Sequence, residues 1–200
     1  MLSSKRVVLP LVRSSFLPGK AKETIEEIED QELTQIAWAE YYFFSAKAKE
    51  CVEIVEKYLN HEDVILRLSA DMLYRFSNLT LGDAFAAQCA REDVYQCFEK
   101  IMKENTLIEE KASCVFAYYV ISIFIHIPPQ EEIPPLEQYI SYLPIGQRLF
   151  AISLLAHQTY LKQEYAKAKG IVQGAFFMAD GSYPIAMTYL NCVQAMCQIN

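Results

Sequence analysis

From Glu32 to the end of the chain, apolar residues return every three or four positions, and no useful stretch alternates with the two-residue period of a strand. That pattern confines the fold to packed helices. "ELTQIAWAEYYFFSA" (32–46) and "KECVEIVEKYLN" (49–60) set apolar side chains at i, i+3, i+4 and i+7, and their short link predicts an antiparallel pair. "VILRLSADMLYRFSNLTL" (64–81) and "AFAAQCAREDVYQCFEKIMKEN" (84–105) predict a second pair, broken at Gly82-Asp83. A fifth helix is expected at about 107–127. "IPPQEEIPP" (127–135) interrupts the pattern, because its four prolines cannot continue a helix. A short helix at 136–142 follows, then a turn at Pro144-Ile145-Gly146 and helices at about 146–161, 164–179 and 184–200. Only six glycines are present, too few for the tight turns of an all-β fold. The expected class is all-α.

Residues 1–20 differ from the rest: four basic residues, no acids and two prolines predict an extended N-terminal arm ahead of a helical domain at 21–200. The sign then reverses in "AKETIEEIEDQELTQ" (21–35), whose glutamates suit the start of a helix. The cluster Glu23–Glu32 reads as a solvated helix face, since nothing near it would raise one carboxyl for acid chemistry.

A net charge of -7 lacks the basic footprint of a nucleic-acid-binding domain, so this chain is not expected to touch DNA or RNA directly. The six cysteines (51, 89, 97, 114, 192, 197) lie in apolar helical stretches with no Cys-x-x-Cys, and the three histidines are distant in sequence. They read as buried, reduced thiols of a cytoplasmic protein, with no metal site. "VVLPLV" (7–12) is too short for a signal-peptide core, and "VFAYYVISIFIHI" (115–127) falls short of the roughly 20 residues of a membrane span. The latter reads as a core helix. The sequon at Asn78 lies within a predicted helix and is discounted. No hydrolase elbow, zinc-protease or dinucleotide motif occurs, and Gly19-Lys20 lacks the earlier glycine of a phosphate loop. The expectation is a non-enzyme without a cofactor.

Residues 156–176 follow the tetratricopeptide unit, a 34-residue helix–turn–helix. Ala168 takes the small position of the second helix, Tyr165 the tyrosine three before it, Ala156 and Leu155 the small residue and leucine of the first helix, and Ala175 the later alanine. Asp180 replaces the usual proline, with Pro184 nearby. Residues 38–59 align likewise through Ala39, Tyr42, Ala46 at the turn glycine, and Cys51, with Trp38 for leucine and Ala48 for tyrosine. The middle of the chain matches poorly. Small residues at the crossing points let helices approach closely, and stacked pairs build a right-handed α-solenoid with a concave wall. A helical bundle without true repeats stays open as the alternative.

In that register Ser153, His157 and Tyr160 form one stripe, and Ile36, Glu40 and Phe43 hold the equivalent places. The six residues are either packing between units or contacts to a ligand or peptide. Arg75 lies in an apolar stretch one turn after Asp71, which predicts a local ion pair. His126 reads as a helix-end cap.

"KRVVLPLVRSSF", "AWAEYYFFSAKAKECVEIVEKYL", "YISYLPIGQRLFAISLLAHQTYLKQEYAKAKGIVQGAF" and "SYPIAMTYLNCVQAM" together resemble the N-terminal helical part of bacterial LuxR-type transcriptional regulators. The resemblance implies a regulatory module that binds an effector or partner protein, with DNA bound by a helix-turn-helix domain beyond Asn200. The apolar final segment 186–200, with no partner helix after it, is consistent with a chain that continues, and predicts an exposed apolar face that dimerises. The other expectation is a free-standing tetratricopeptide adaptor.

Overall fold

The computed structural model describes residues 18–85, 90–103, 107–124, 134–179 and 183–199. Among them every regular element is helical. The predicted arm (mostly residues 1–17), the proline-rich interruption at 127–133, His126 and Cys89 lie outside the described residues, as does the Cys97 side chain.

Helix α1 (Pro18–Glu26) begins inside the stretch read as an arm. Proline is tolerated in a first turn, where its missing N–H has no helical acceptor to lose. The acidic segment therefore forms two helices rather than the start of one. Asp30 separates them and caps α2 (Gln31–Phe44), its carboxylate accepting from the amides of Glu32 and Leu33 at 3.0 Å each. Next come α3 (Ala48–Val55), which tightens into a 3₁₀ turn at Glu56–Tyr58, and α4 (Val64–Thr80), capped by Asp63. Then follow α5 (Ala90–Lys103) and α6 (Ile108–Phe124). The short helix expected at 136–142 is instead two 3₁₀ turns, Leu136–Gln138 and Ile140–Tyr142. Helices α7 (Ile145–Leu161), α8 (Tyr165–Phe176) and α9 (Pro184–Ile199) complete the chain.

The helices pack in a running order. Each of α2, α4 and α7 lies against the helix that follows it, and α2 touches α4, α4 touches α6, α6 touches α7 and α7 touches α9. The 3₁₀ turns pack on α6 and α7, in the place where a partner helix to α6 would fall. One core runs from α2 to α7 through Leu66, Leu68, Met72, Phe116 and Leu154. A second joins α7, α8 and α9 through Leu149, Val172 and Leu190, and Phe150 and Tyr189 pack against both. Ala21, Ile25 and Ala37 seal α1 onto α2.

Three helices end in the same way. After α2, α4 and α7 the chain turns through one left-handed residue: Ala46 at φ 59°, Gly82 at φ 94° and Gln163 at φ 65°. Each turn closes with the same two hydrogen bonds, the Schellman pattern that satisfies the last carbonyls of a helix. The amide of Lys47 donates to the Tyr42 carbonyl and that of Ala46 to Phe43, at 2.9 and 3.1 Å. Asp83 and Gly82 do the same to Asn78 and Leu79, at 2.8 and 3.1 Å. Glu164 and Gln163 do so to Thr159 and Tyr160, at 3.2 and 2.8 Å.

Candidate functional site

The shared turns give an internal ruler. Nine residues before each left-handed residue stand Ala37, Leu73 and Leu154, all buried. Ten before stand Ile36, Met72 and Ser153, each with no exposure. Five after the first and third turns come Cys51 and Ala168, and nine after come Val55 and Val172, again fully buried. The helix faces that meet are therefore the same in the first and last pairs.

One position breaks the pattern. Seven residues before the turn, the first and last pairs carry Ala39 and Ala156, both at 0% exposure, whereas the middle pair carries Arg75 at 9%. This explains why the middle of the chain aligned poorly: a long charged side chain stands where a small one is expected, even though Gly82 supplies the turn. Arg75 Nε donates to Asp71 Oδ1 at 2.8 Å, the local ion pair expected from their spacing.

Around this pair lies a cleft of about 420 Å³, lined by Leu59, Asn60, Arg67, Asp71, Tyr74, Arg75 and Gln96. Its wall is one face of α4, because Arg67, Asp71, Tyr74 and Arg75 recur at i, i+4, i+7 and i+8. Leu59 and Asn60 come from the end of the 3₁₀ turn after α3, and Gln96 comes from α5. Asp71 and Arg75 are buried, Arg67 and Tyr74 half-buried, and Asn60 and Gln96 exposed at the rim. A buried ion pair costs more desolvation than an apolar pair of the same volume. Here the open cleft beside it relieves part of that cost. Sequence reasoning found the ion pair but not the cleft. The Gly82 turn, counted back to Arg75, was the signal that could have located it.

The six stripe residues meet different fates. Ile36, Glu40 and Ser153 have no exposed surface, and the Ser153 hydroxyl is taken by the Phe150 carbonyl at 2.6 Å. They are interior residues, out of reach of a ligand on an open wall. Phe43 is half-buried with its ring 6.3 Å from that of Phe76 on α4. Tyr160 is half-buried 5.2 Å from the Tyr165 ring across the α7–α8 turn. His157 bonds across helices, Nδ1 lying 3.0 Å from the Tyr189 hydroxyl of α9. Burial lowers the His157 pKa and raises that of Tyr189, which favours the neutral form of both partners. The stripe is thus mostly packing between neighbouring helices.

Glu40 belongs to a buried polar group between α2, α3 and α4. Burial pushes the Cys51 thiol up to about 11; the Ser77 hydroxyl opposes that shift and the Glu40 carboxylate adds to it. Such a thiol is inert as a nucleophile at neutral pH. Asn78, the sequon residue, donates Nδ2 to the Tyr74 carbonyl at 2.9 Å within α4.

The outward face of α9 carries Thr188, Asn191, Cys192, Ala195 and Gln198, with Ile199 at its end. The apolar face expected there is narrow, because Leu190, Val193 and Cys197 turn inward against α7 and α8. Among the described residues no helix is long and apolar enough to cross a membrane, and no three His, Cys, Asp or Glu side chains gather as a metal site would need.

Among the described residues the regular elements are all helical, and a polar cleft lies against α4. The chain matches no family model, no curated protein and no solved structure.

Proposed function

We propose that this chain is a recognition module, an α-solenoid of antiparallel helix pairs that binds an effector or partner in the α4 cleft. The observation that carries this reading is the threefold recurrence of one helix-ending turn. Gly82 follows Ala46 by 36 residues, close to one unit, and Gln163 follows Gly82 by 81, longer than two such units. Repeated pairs that contact only their neighbours transmit a local change in packing along the stack. A ligand that favours one packing of α4 would shift the arrangement of the units beyond it.

In the finer reading the module belongs to a LuxR-type transcriptional regulator, with DNA bound by a helix-turn-helix domain outside these residues. It rests on the sequence resemblance. The second reading, a tetratricopeptide-type adaptor between proteins, rests on the same repeats. Thermal-shift titration with metabolite and peptide panels separates them. A ligand present at a hundred times its Kd stabilises the fold by about 2.7 kcal/mol. A response to small molecules supports the regulator, and a response to peptides alone supports the adaptor. Silence toward both panels would sink the recognition reading. The reading frame past Asn200 gives an independent check, since a basic helix-turn-helix segment there favours the regulator.

A further inference from the structure

We infer that α9 is a pH-gated lid: proton uptake by His157 releases it from α7 and α8 and uncovers the apolar groove beneath it. The device stands apart from the α4 cleft, so either can fail without the other.

The geometry decides which helix moves. α9 lies against both helices of the last pair and buries Ala186, Leu190, Val193 and Cys197 there, over Leu149 and Val172. These side chains are small to medium, so the apolar area holding α9 is modest, and it opens at lower cost than the whole fold. Tyr189 adds a polar contact. Its hydroxyl lies 3.0 Å from His157 Nδ1, and its ring stands edge-on to His157 and to Phe150, 6.0 and 5.4 Å away. Phe150 in turn meets Phe116 of α6 at 5.9 Å. α7 is thus tied to the first core, and α8 is tied to α7 through their closed turn. α9 is the helix left to move.

Charge supplies the trigger. Helices α7, α8 and α9 contain no aspartate or glutamate. From α9 the ring faces Tyr189, with the exposed Cys192 a turn further on. α8 brings Tyr165 and the exposed Lys167 and Lys169, and Glu164 in the turn before it is bonded to Lys167 at 2.9 Å. The carboxylates of α6, Glu109 and Glu110, stand in its first turn, well before Phe116. At the start of α7, Tyr142 belongs to the adjoining 3₁₀ turn, and Arg148 donates to the Ser141 and Leu143 carbonyls. A docked imidazolium therefore loses water without gaining a counter-charge. In solvent the ring charges near its ordinary pKa of about 6.5. The released form takes up the proton first, so α9 is fully held above about pH 6.5 and progressively less as the pH falls. Burial of the docked ring, which lowers the His157 pKa, acts in the same direction.

Four of the cysteines report on the release. Cys192 is exposed on α9, Cys197 is buried on the same helix, and Cys51 and Cys114 are buried in the first core. The whole chain is labelled briefly, between about pH 8 and pH 5, with an aromatic disulfide that still reacts with thiols in acid, and each site is quantified by mass spectrometry. The ratio of Cys197 to Cys192 labelling cancels the reagent's own pH dependence, since both thiols are solvated once α9 is away. That ratio should rise several-fold toward acid while Cys51 and Cys114 stay protected. His157→Gln still offers Tyr189 a hydrogen bond but does not charge, so its ratio should stay flat. His157→Leu makes the same test if circular dichroism shows the first variant unfolded. A wild-type ratio that does not change with pH overturns the inference, as does the same rise in the variants. Labelling of Cys51 and Cys114 in step with Cys197 also overturns it, because the acid response is then global unfolding.

Discussion

The pairs α4–α5 and α7–α8 begin from the same local design and end differently. Both first helices close with a left-handed residue and the same two hydrogen bonds, and both bury the same face nine and ten residues earlier. In α7 the position seven before the turn is Ala156, and Val172 and Ala175 of α8 pack into the apolar cluster that joins α7, α8 and α9. In α4 that position is Arg75, and a polar cleft stands beside it. Turn and buried face set the frame of a unit. At the position seven before the turn the two pairs differ: alanine in α7, arginine in α4.

The largest way to break this comparison is to transplant the arginine. Ala156→Arg places an unpaired charge in a closed crossing, combining overpacking with an uncompensated buried ion, and should cost about 4 kcal/mol or more. Loss of the cooperative urea transition is the expected result; near-wild-type stability would mean that the two crossings are equivalent. Next in size, Asp71→Leu alone strips the carboxylate from buried Arg75 and should cost about 3 kcal/mol, whereas Asp71→Leu with Arg75→Met should restore most of it. A double-mutant cycle in denaturant measures the difference. Equal losses in single and double variants would show that the pair is not coupled.

The shared turn can be tested by exchanging its residues. Ala46→Gly and Gln163→Gly relieve a left-handed strain that only glycine escapes, and each should gain about 0.5–1 kcal/mol. Gly82→Ala should lose about 1 kcal/mol through backbone strain alone, because an added Cβ meets no atom within 4 Å. A loss at Ala46→Gly or Gln163→Gly, or a gain at Gly82→Ala, would disprove the common turn. The smallest effect is acid sensitivity in the α7–α9 contact. Burial depresses the folded His157 pKa below its ordinary 6.5, so the unfolded chain binds the proton first. Stability should therefore be full above about pH 6.5, fall as the pH drops from there toward the folded value, and level off below it. His157→Gln should flatten that slope in pH-dependent melts.

Much of this was legible in the chain. Apolar spacing placed most of the helices to within a few residues, the Asp71–Arg75 spacing gave the ion pair, and Ala46 was assigned to a turn position that is indeed left-handed. The break between α1 and α2 was missed because Asp30 among glutamates looks like more acidic helix, although its short carboxylate is the cap. The stripe stayed open between packing and contact for a related reason. Helical spacing puts Ile36, Glu40 and Phe43, and likewise Ser153, His157 and Tyr160, on one face, but it does not say whether that face meets solvent or another helix.

The sequence by itself determined the helical class, the pairing of neighbours and the turns, because period, capping and left-handed propensity act over a few residues. Only the tertiary structure decided that Ser153 and Glu40 are sealed, that His157 meets Tyr189 across 32 residues of sequence, and that a cavity opens beside Arg75. Burial and clefts depend on how closely whole helices approach, and that distance is set jointly by side chains far apart in the chain.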